Sequence, residues 1–219
     1  MVLSRRLMTV LDLVRKCEIL ADIGTDHGFL PIEACNMWLC EKAISCDINK
    51  GPLEVAKANI AAAGLSQRIE TRLGDGLRPL GDNEADCIVI SGMGGMRIWS
   101  ILQAEPKKAS FAKKLVLGPQ HNIPELRKNL HGMRYEIFEE KLVYEDSRFY
   151  VILAAAHTGK VKAWTEQEYY LGKYLHNSEN FVKYLRYHEE QITGYIDSLN
   201  HHNSRQLAEK RLSWIREFL

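Results

Sequence analysis

The segment Leu20-Ala21-Asp22-Ile23-Gly24-Thr25-Asp26-His27-Gly28-Phe29 runs from an apolar stretch into a turn of small and polar residues. Gly24 and Gly28 let backbone come close to a ligand where a Cβ would obstruct it. A dinucleotide fingerprint reads G-x-G-x-x-G, and its second glycine admits the pyrophosphate. Here Asp26 stands between the two glycines. A carboxylate repels a pyrophosphate and welcomes an ammonium. S-adenosylmethionine carries an ammonium and no phosphate, so the turn favours a methyl donor over NAD. An ordinary strand-to-helix turn with acidic caps explains the same residues equally well, and the downstream partners decide between the two.

Three further sites follow apolar runs, where open α/β sheets bind ligands. Asp47 ends the run Ala43–Cys46, about twenty residues past the first turn, where an acid can accept both hydroxyls of a ribose. Asp75, between Gly74 and Gly76, is placed to accept from an adenine amino group, with room for the ring beside it. Ser91-Gly92-Met93-Gly94-Gly95 would form the floor under the reactive methyl, with Ser91, Gly92 and Met93 positioning the acceptor. Any one acid after a strand commonly caps a helix. Three in order, the first beside a glycine turn, make a stronger signal.

The elements needed to hold these sites are legible. Apolar runs at Ile19–Ile23, Ala43–Cys46, Ile69–Leu73, Cys87–Ile90, Leu115–Leu117, Tyr135–Phe138 and Phe149–Ala155 alternate with helix-like stretches such as Pro52–Ala63 and Pro124–Leu130. Strands alternating with helices imply βαβ units and a mainly parallel sheet. The last two runs have no helix between them. They are expected to pair antiparallel at the sheet edge, joined by Lys141–Arg148. That reversed closing strand marks Rossmann-like methyltransferases and is missing from dehydrogenases. Met1 to Lys16 reads as an amphipathic helix with Leu3, Leu7, Val10, Leu11 and Val14 on one side.

Strand signals cease after His157. Thr158-Gly159-Lys160 reads as a linker, and Thr165 to Glu168 as a capping box. Val182, Leu185, Ile192, Ile196 and Leu199 recur at helical spacing, interrupted by Glu189, and Leu212, Ile215 and Leu219 repeat it. The expectation is an antiparallel coiled coil of two long helices. The division is therefore a catalytic domain over 1–157 and a helical domain over 158–219. The tyrosines of the second part are read as helix packing in preference to base stacking.

Composition narrows the classes. A hydrophobic share of 46% with 26% charged residues suits a soluble globular chain, and no apolar run approaches a membrane span or a signal peptide core. The five cysteines form no CxxC pair and have no zinc-like companions, so no metal is expected and a reducing cytoplasm fits. A net charge of +1 does not advertise a nucleic-acid binder.

The set Asp22-Ile-Gly-Thr-Asp-His-Gly28, Asp47-x-x-x-Gly-Pro52, Gly74-Asp-Gly76, Ser91-Gly-Met-Gly-Gly95, Gly118-Pro-Gln120 and Glu145-Asp146-x-Arg148-x-Tyr150 resembles the bacterial tRNA (adenine-22-N1)-methyltransferases. The resemblance covers the whole chain. It implies a Rossmann-like class I methyltransferase sheet of seven strands followed by a helical coiled coil, with S-adenosylmethionine as cofactor and tRNA as partner. It also implies that Asp22, Gly24, Asp26 and Gly28 line the methionine end, that Asp47 holds the ribose, that Asp75 and Gly76 meet the adenine, and that Ser91 to Met93 face the acceptor base. His27 falls within the cofactor motif, with orientation of the acceptor and a local structural role as its two readings, the latter favoured.

Methyltransferases acting on exocyclic amines usually carry Asn/Asp-Pro-Pro-aromatic at the fourth site. Here Ser91-Gly92-Met93-Gly94 replaces it, which suits a ring nitrogen with its own in-plane lone pair and no obligatory base. Direct displacement onto adenine N1 needs the base unpaired or extruded. RNA contacts are expected from Arg5 and Arg6 on the first helix and from Lys173, Lys183 and Arg186 on the C-terminal arm. Pro119 to Asn122 could contact the incoming base. A methyltransferase of a protein or small molecule would use the same donor site, and a non-catalytic binding protein is the third reading. The enzyme is expected to be cytoplasmic, free of membrane and metal, and a monomer in preference to an oligomer.

Overall fold

The computed structural model describes residues 3–219; Met1 and Val2, the first residues of the expected N-terminal helix, lie outside the described residues. Helix α1 (Arg5–Val14) begins where Ser4 accepts the Leu7 N–H at 3.2 Å, which satisfies one of the free amides of its first turn. Strand β1 (Cys17–Ile23), α2 (Phe29–Asn36), β2 (Cys40–Asp47), α3 (Lys50–Ala62) and β3 (Ile69–Leu73) follow as βαβ units. Then come β4 (Cys87–Met93), α4 (Gly95–Ala104), α5 (Pro106–Phe111), β5 (Lys114–Pro119) and α6 (Ile123–Gly132). Strands β6 (Tyr135–Glu145) and β7 (Arg148–His157) close the sheet.

The strand order is β3-β2-β1-β4-β5-β7-β6. The first five strands are parallel, and β7 runs antiparallel to both β5 and β6. The chain thus reverses direction across the sheet between β3 and β4, so that the carboxyl ends of β1 and β4 flank a crevice. Alternation within the strands supplies two cores. Leu20, Ala43, Val89 and Val116 face α1, α2 and α3, whereas Ala21, Ile44, Ile88 and Leu115 face α4 and α6.

All seven expected strands are present, but the link between the last two is not the Lys141–Arg148 stretch. Strand β6 continues to Glu145, and only Asp146 and Ser147 turn the chain, both with positive φ (49° and 60°). Two left-handed residues match the twist of a tight hairpin. The charged residues of β6 disguise it as a loop in sequence. Glu140 is in fact buried, where its Oε1 accepts from Arg127 Nε at 2.8 Å.

Beyond β7, the capping box forms as expected. Thr165 and Glu168 cap each other reciprocally at the start of α7 (Glu166–Leu171), but this helix is short. Helices α8 (Phe181–Tyr195) and α9 (His202–Arg216) then form an antiparallel pair. The ring of Phe181 at the start of α8 lies 5.7 Å from that of Phe218 past the end of α9, and Glu189 meets Arg216 at 2.8 Å. The expected stripe needs correction at Val182 and at Leu219, past the end of α9, both of which are exposed. Phe181 and Tyr184 are buried instead, next to Leu185 and Ile192. These residues belong to the same apolar cluster as the β4 and β5 side chains, and the Tyr184 ring meets that of Phe149 on β7 at 5.4 Å. Among the described residues no helix is long and apolar enough to cross a membrane.

Candidate active site

Asp22 sits one residue before the end of β1 and is buried, its Oδ2 accepting from Thr25 Oγ1 at 2.7 Å. Burial pushes its carboxyl up to about 6, partly offset by that hydrogen bond. The turn beyond it is tied to β2, because the Gly24 and Thr25 N–H groups both donate to the Cys46 carbonyl. Gly24 has φ +78°, and a Cβ there would fall 2.3 Å from the methyl of Met93. The turn and the Met93 side chain at the end of β4 therefore pack closely at this glycine, and a side chain here would push the Met93 methyl aside. Asp26 also takes a positive φ of 50° and leaves its carboxylate largely exposed. His27 lies 3.5 Å from Asp26 and stacks on Phe29, while its carbonyl accepts from Asn59.

Asp47 ends β2 nearly buried, with Oδ1 accepting the Asn49 N–H at 2.8 Å and its second oxygen free of donors among the described residues. Asp75 differs from its expected state. Arg97 Nη2 on α4 donates to its Oδ1 at 2.9 Å and Arg78 approaches at 3.8 Å, so an adenine amino group would meet a carboxylate already shared with two guanidinium groups. Nothing in the Gly-Asp-Gly spacing points to Arg97, twenty-two residues later.

At the end of β4 the register with β5 shifts between Ser91 and Met93, a bulge that turns this segment out of the sheet. Ser91 Oγ is buried with no hydrogen-bond partner among the described residues. It packs on Gly118, where a Cβ would stand 2.3 Å from that oxygen. The Gln120 N–H donates to the Met93 carbonyl at 2.9 Å and brings the end of β5 alongside.

Two clefts meet at these residues. One, of about 430 Å³, runs past Gly24, Asp47, Asp75, Gly76, Met93 and Ile101. The other, of about 320 Å³, is lined by Asp22, Thr25, His27, Arg6 and Gln120, and both share Gly24, Asp26, Ser91 and Gly92. Gly28 starts α2 beneath them with φ +72°.

Of the expected RNA-contacting residues, only Arg6 reaches this centre. Glu145 on the hairpin accepts the Arg5 and Arg6 N–H groups at 2.6 and 3.4 Å, and the Arg6 guanidinium lies over the Tyr150 ring at 5.3 Å. Lys173 is held at 3.8 Å from Glu168 and over Trp164, Lys183 lies 3.4 Å above the Tyr144 ring, and Arg186 is exposed on α8. None of these three lines the clefts at the strand ends.

Residues 3–153 match the family described as a methyltransferase domain. The chain belongs to that family. A curated relative from Bacillus subtilis, tRNA (adenine(22)-N(1))-methyltransferase, is 37% identical over 153 residues, or 70% of this chain. The matched stretch is 64% of that relative's own length. The solved structure of the B. subtilis M1A22 tRNA methyltransferase superposes on this methyltransferase with a TM-score of 0.88 at 27% identity, covering 99% of this chain and 98% of that one. The structure of M. capricolum TrmK, in complex with S-adenosyl-homocysteine, gives a TM-score of 0.87 at 26% identity over 99% and 97% of the two chains. These likenesses extend through α8 and α9, so the C-terminal helices of the methyltransferase belong to the shared architecture.

Proposed function

We propose that this methyltransferase moves the methyl group of S-adenosylmethionine to N1 of adenine 22 in tRNA, the reaction named for its B. subtilis relative. The observation that carries the reading is the continuous cleft along the ends of β1, β2 and β4, lined with carboxylates and floored by Ser91 and Gly92. Its donor set fits a cationic ligand. Among the described residues Asp22 is buried without a cationic partner, and Asp47 keeps one oxygen free.

Bound there, the cofactor supplies an electrophilic methyl group on a sulfonium. Asp22 and Asp26 take its ammonium, Gly24 and Gly28 let the backbone close on its methionine end, and Asp47 accepts from the ribose. Asp75, shared with Arg97, and Gly76 border the adenine. His27 stays with Phe29 and keeps the turn in shape. Ser91, Gly92 and Met93 hold the acceptor base through the floor they form at the end of β4. No side chain has to remove a proton, because N1 attacks with an in-plane lone pair. Rate enhancement comes from bringing the two reactants together in line.

Residues 1–157 form the catalytic domain and 158–219 the helical domain that, with Arg5 and Arg6, holds the RNA in the cytoplasm. Lys183 and Arg186 are exposed cations suited to phosphates, and Lys173 joins them when released from Glu168. Labelled S-adenosylmethionine incubated with unmodified bacterial tRNA should transfer its methyl group. A tRNA with guanine at position 22 should take none, and Asp26→Ala should abolish the reaction. Equal labelling of both tRNAs would overturn the assignment of the acceptor.

A further inference from the structure

A third cleft, of about 590 Å³, opens between the β6–β7 hairpin and α8 and is larger than either donor cleft. Its walls are aromatic. Phe149 stands 5.4 Å from Tyr184 and 5.6 Å from Tyr187, and His188 lies 4.4 Å from Tyr184 and 5.4 Å from Tyr187. Tyr187 nonetheless remains 44% exposed, unlike the buried Tyr184 beside it. Burial pushes the His188 imidazole down to about 4, which leaves it a neutral ring at pH 7.

Two relationships say what such a cleft would receive. Gln120 lines both this cleft and the donor cleft, and Tyr150 on its wall carries Arg6, itself part of the donor cleft. The aromatic surface is thus continuous with the place where the acceptor base must lie. Around it Arg148, Lys183 and Arg186 are exposed, and none is paired with a carboxylate among the described residues. Aromatic faces next to unpaired cations suit a nucleotide, whose base stacks while its phosphate meets the charge.

We infer that the cleft is a stacking subsite for a nucleotide adjacent to the adenine that is methylated, with Tyr187 as its exposed platform. The inference rests on the RNA acceptor proposed above. Extruding a base from a stack strips a neighbour of its partner, at a cost of a few kcal/mol. A waiting aromatic ring replaces the lost contact, and base–aromatic stacking tolerates any base. Tyr187 here positions RNA and touches no reacting atom.

The test uses the full protein and tRNAs carrying 2-aminopurine on either side of the target adenine. With saturating wild-type protein, one of the two probes should stay quenched by its new ring partner. Tyr187→Ala should let that probe brighten and weaken tRNA binding about tenfold, with S-adenosylmethionine affinity by calorimetry unchanged. Tyr187→Trp should restore both quenching and affinity, which a simple packing role would not require. If neither probe nor tRNA affinity distinguishes Tyr187→Ala from wild type, the subsite is refuted and the cleft serves packing or a protein partner. A wild-type protein that methylates no tRNA adenine would instead refute the acceptor assignment on which the subsite rests.

Discussion

Arg127 Nε donates to Glu140 Oε1 at 2.8 Å with both side chains wholly buried, and the pair ties the C-terminal segment to the sheet. Arg127 also donates to the carbonyls of Tyr169 and Tyr170, while Glu140 Oε2 accepts the Tyr174 N–H at 3.1 Å. One ion pair therefore connects α6 and β6 to the backbone that leads into α8. Removing a single partner leaves the other charged and buried, which costs about 3–5 kcal/mol. Arg127→Met and Glu140→Leu should each lower the urea midpoint strongly, and the double variant Arg127→Met/Glu140→Leu should recover much of the loss. Additive losses in the double variant would show that the pair is not coupled.

Asp22 makes donor binding depend on pH. Its carboxyl is raised to about 6 by burial, and only the ionised form attracts an ammonium. Affinity for S-adenosylmethionine should therefore weaken as pH falls through 6, by about tenfold at pH 5 relative to pH 7. Stability moves the opposite way. The folded state holds this proton more tightly than the unfolded state, so the unliganded protein loses stability as pH rises between the ordinary aspartate value and 6. Asp22→Asn should bind the donor weakly at every pH. Calorimetry across this range reads both effects, and a flat affinity profile in wild type would remove Asp22 from ammonium recognition.

Gly24 should not tolerate a side chain. At φ +78° an alanine is strained by about 1–3 kcal/mol, and its Cβ would displace the Met93 methyl from the turn. Gly24→Ala should keep the far-ultraviolet circular dichroism of the wild type yet lose at least about tenfold in donor affinity. Wild-type donor affinity in this variant would mean that the cleft does not depend on the turn's shape.

Glu145 seats the first helix. Its carboxylate takes the Arg5 and Arg6 amides, and Arg6 then lies on Tyr150 at the mouth of the donor cleft. Glu145→Ala should raise the KM for tRNA several-fold while leaving donor affinity within about twofold. Arg6→Ala should do the same, and the two changes combined should not add, because they act through one contact. Full additivity would separate their roles.

The fold was legible because its strands are short apolar runs closed by Asp or Gly, and because the missing helix before Phe149 forced an antiparallel pair. The four strand-end sites were legible for the same reason: their residue types are unusual where a strand stops. What sequence spacing concealed depends on partners far apart in the chain. Arg127 on an otherwise ordinary helix pattern gives no sign of being buried, and Glu140 makes β6 look like a loop. Arg97 reaches Asp75 because the loop after β3 lies along α4, with Gly76 against Ile101. The tyrosines of α8 look like helix packing at any spacing. Their spacing gives no sign that Tyr184 is buried while Tyr187 is exposed on the wall they share with Tyr150 and Gln120.

The measurement that bears most directly on the central claim is the identity of the product. tRNA methylated by the wild-type protein, digested near neutral pH and resolved by liquid chromatography with mass spectrometry, should contain 1-methyladenosine as its only new nucleoside. Ser91 and Gly92 offer no amide or carboxylate to grip an exocyclic amine, and the N1 lone pair needs no base. Appearance of N6-methyladenosine in its place would contradict the account, because that product requires a grip on the amino group that this floor does not provide.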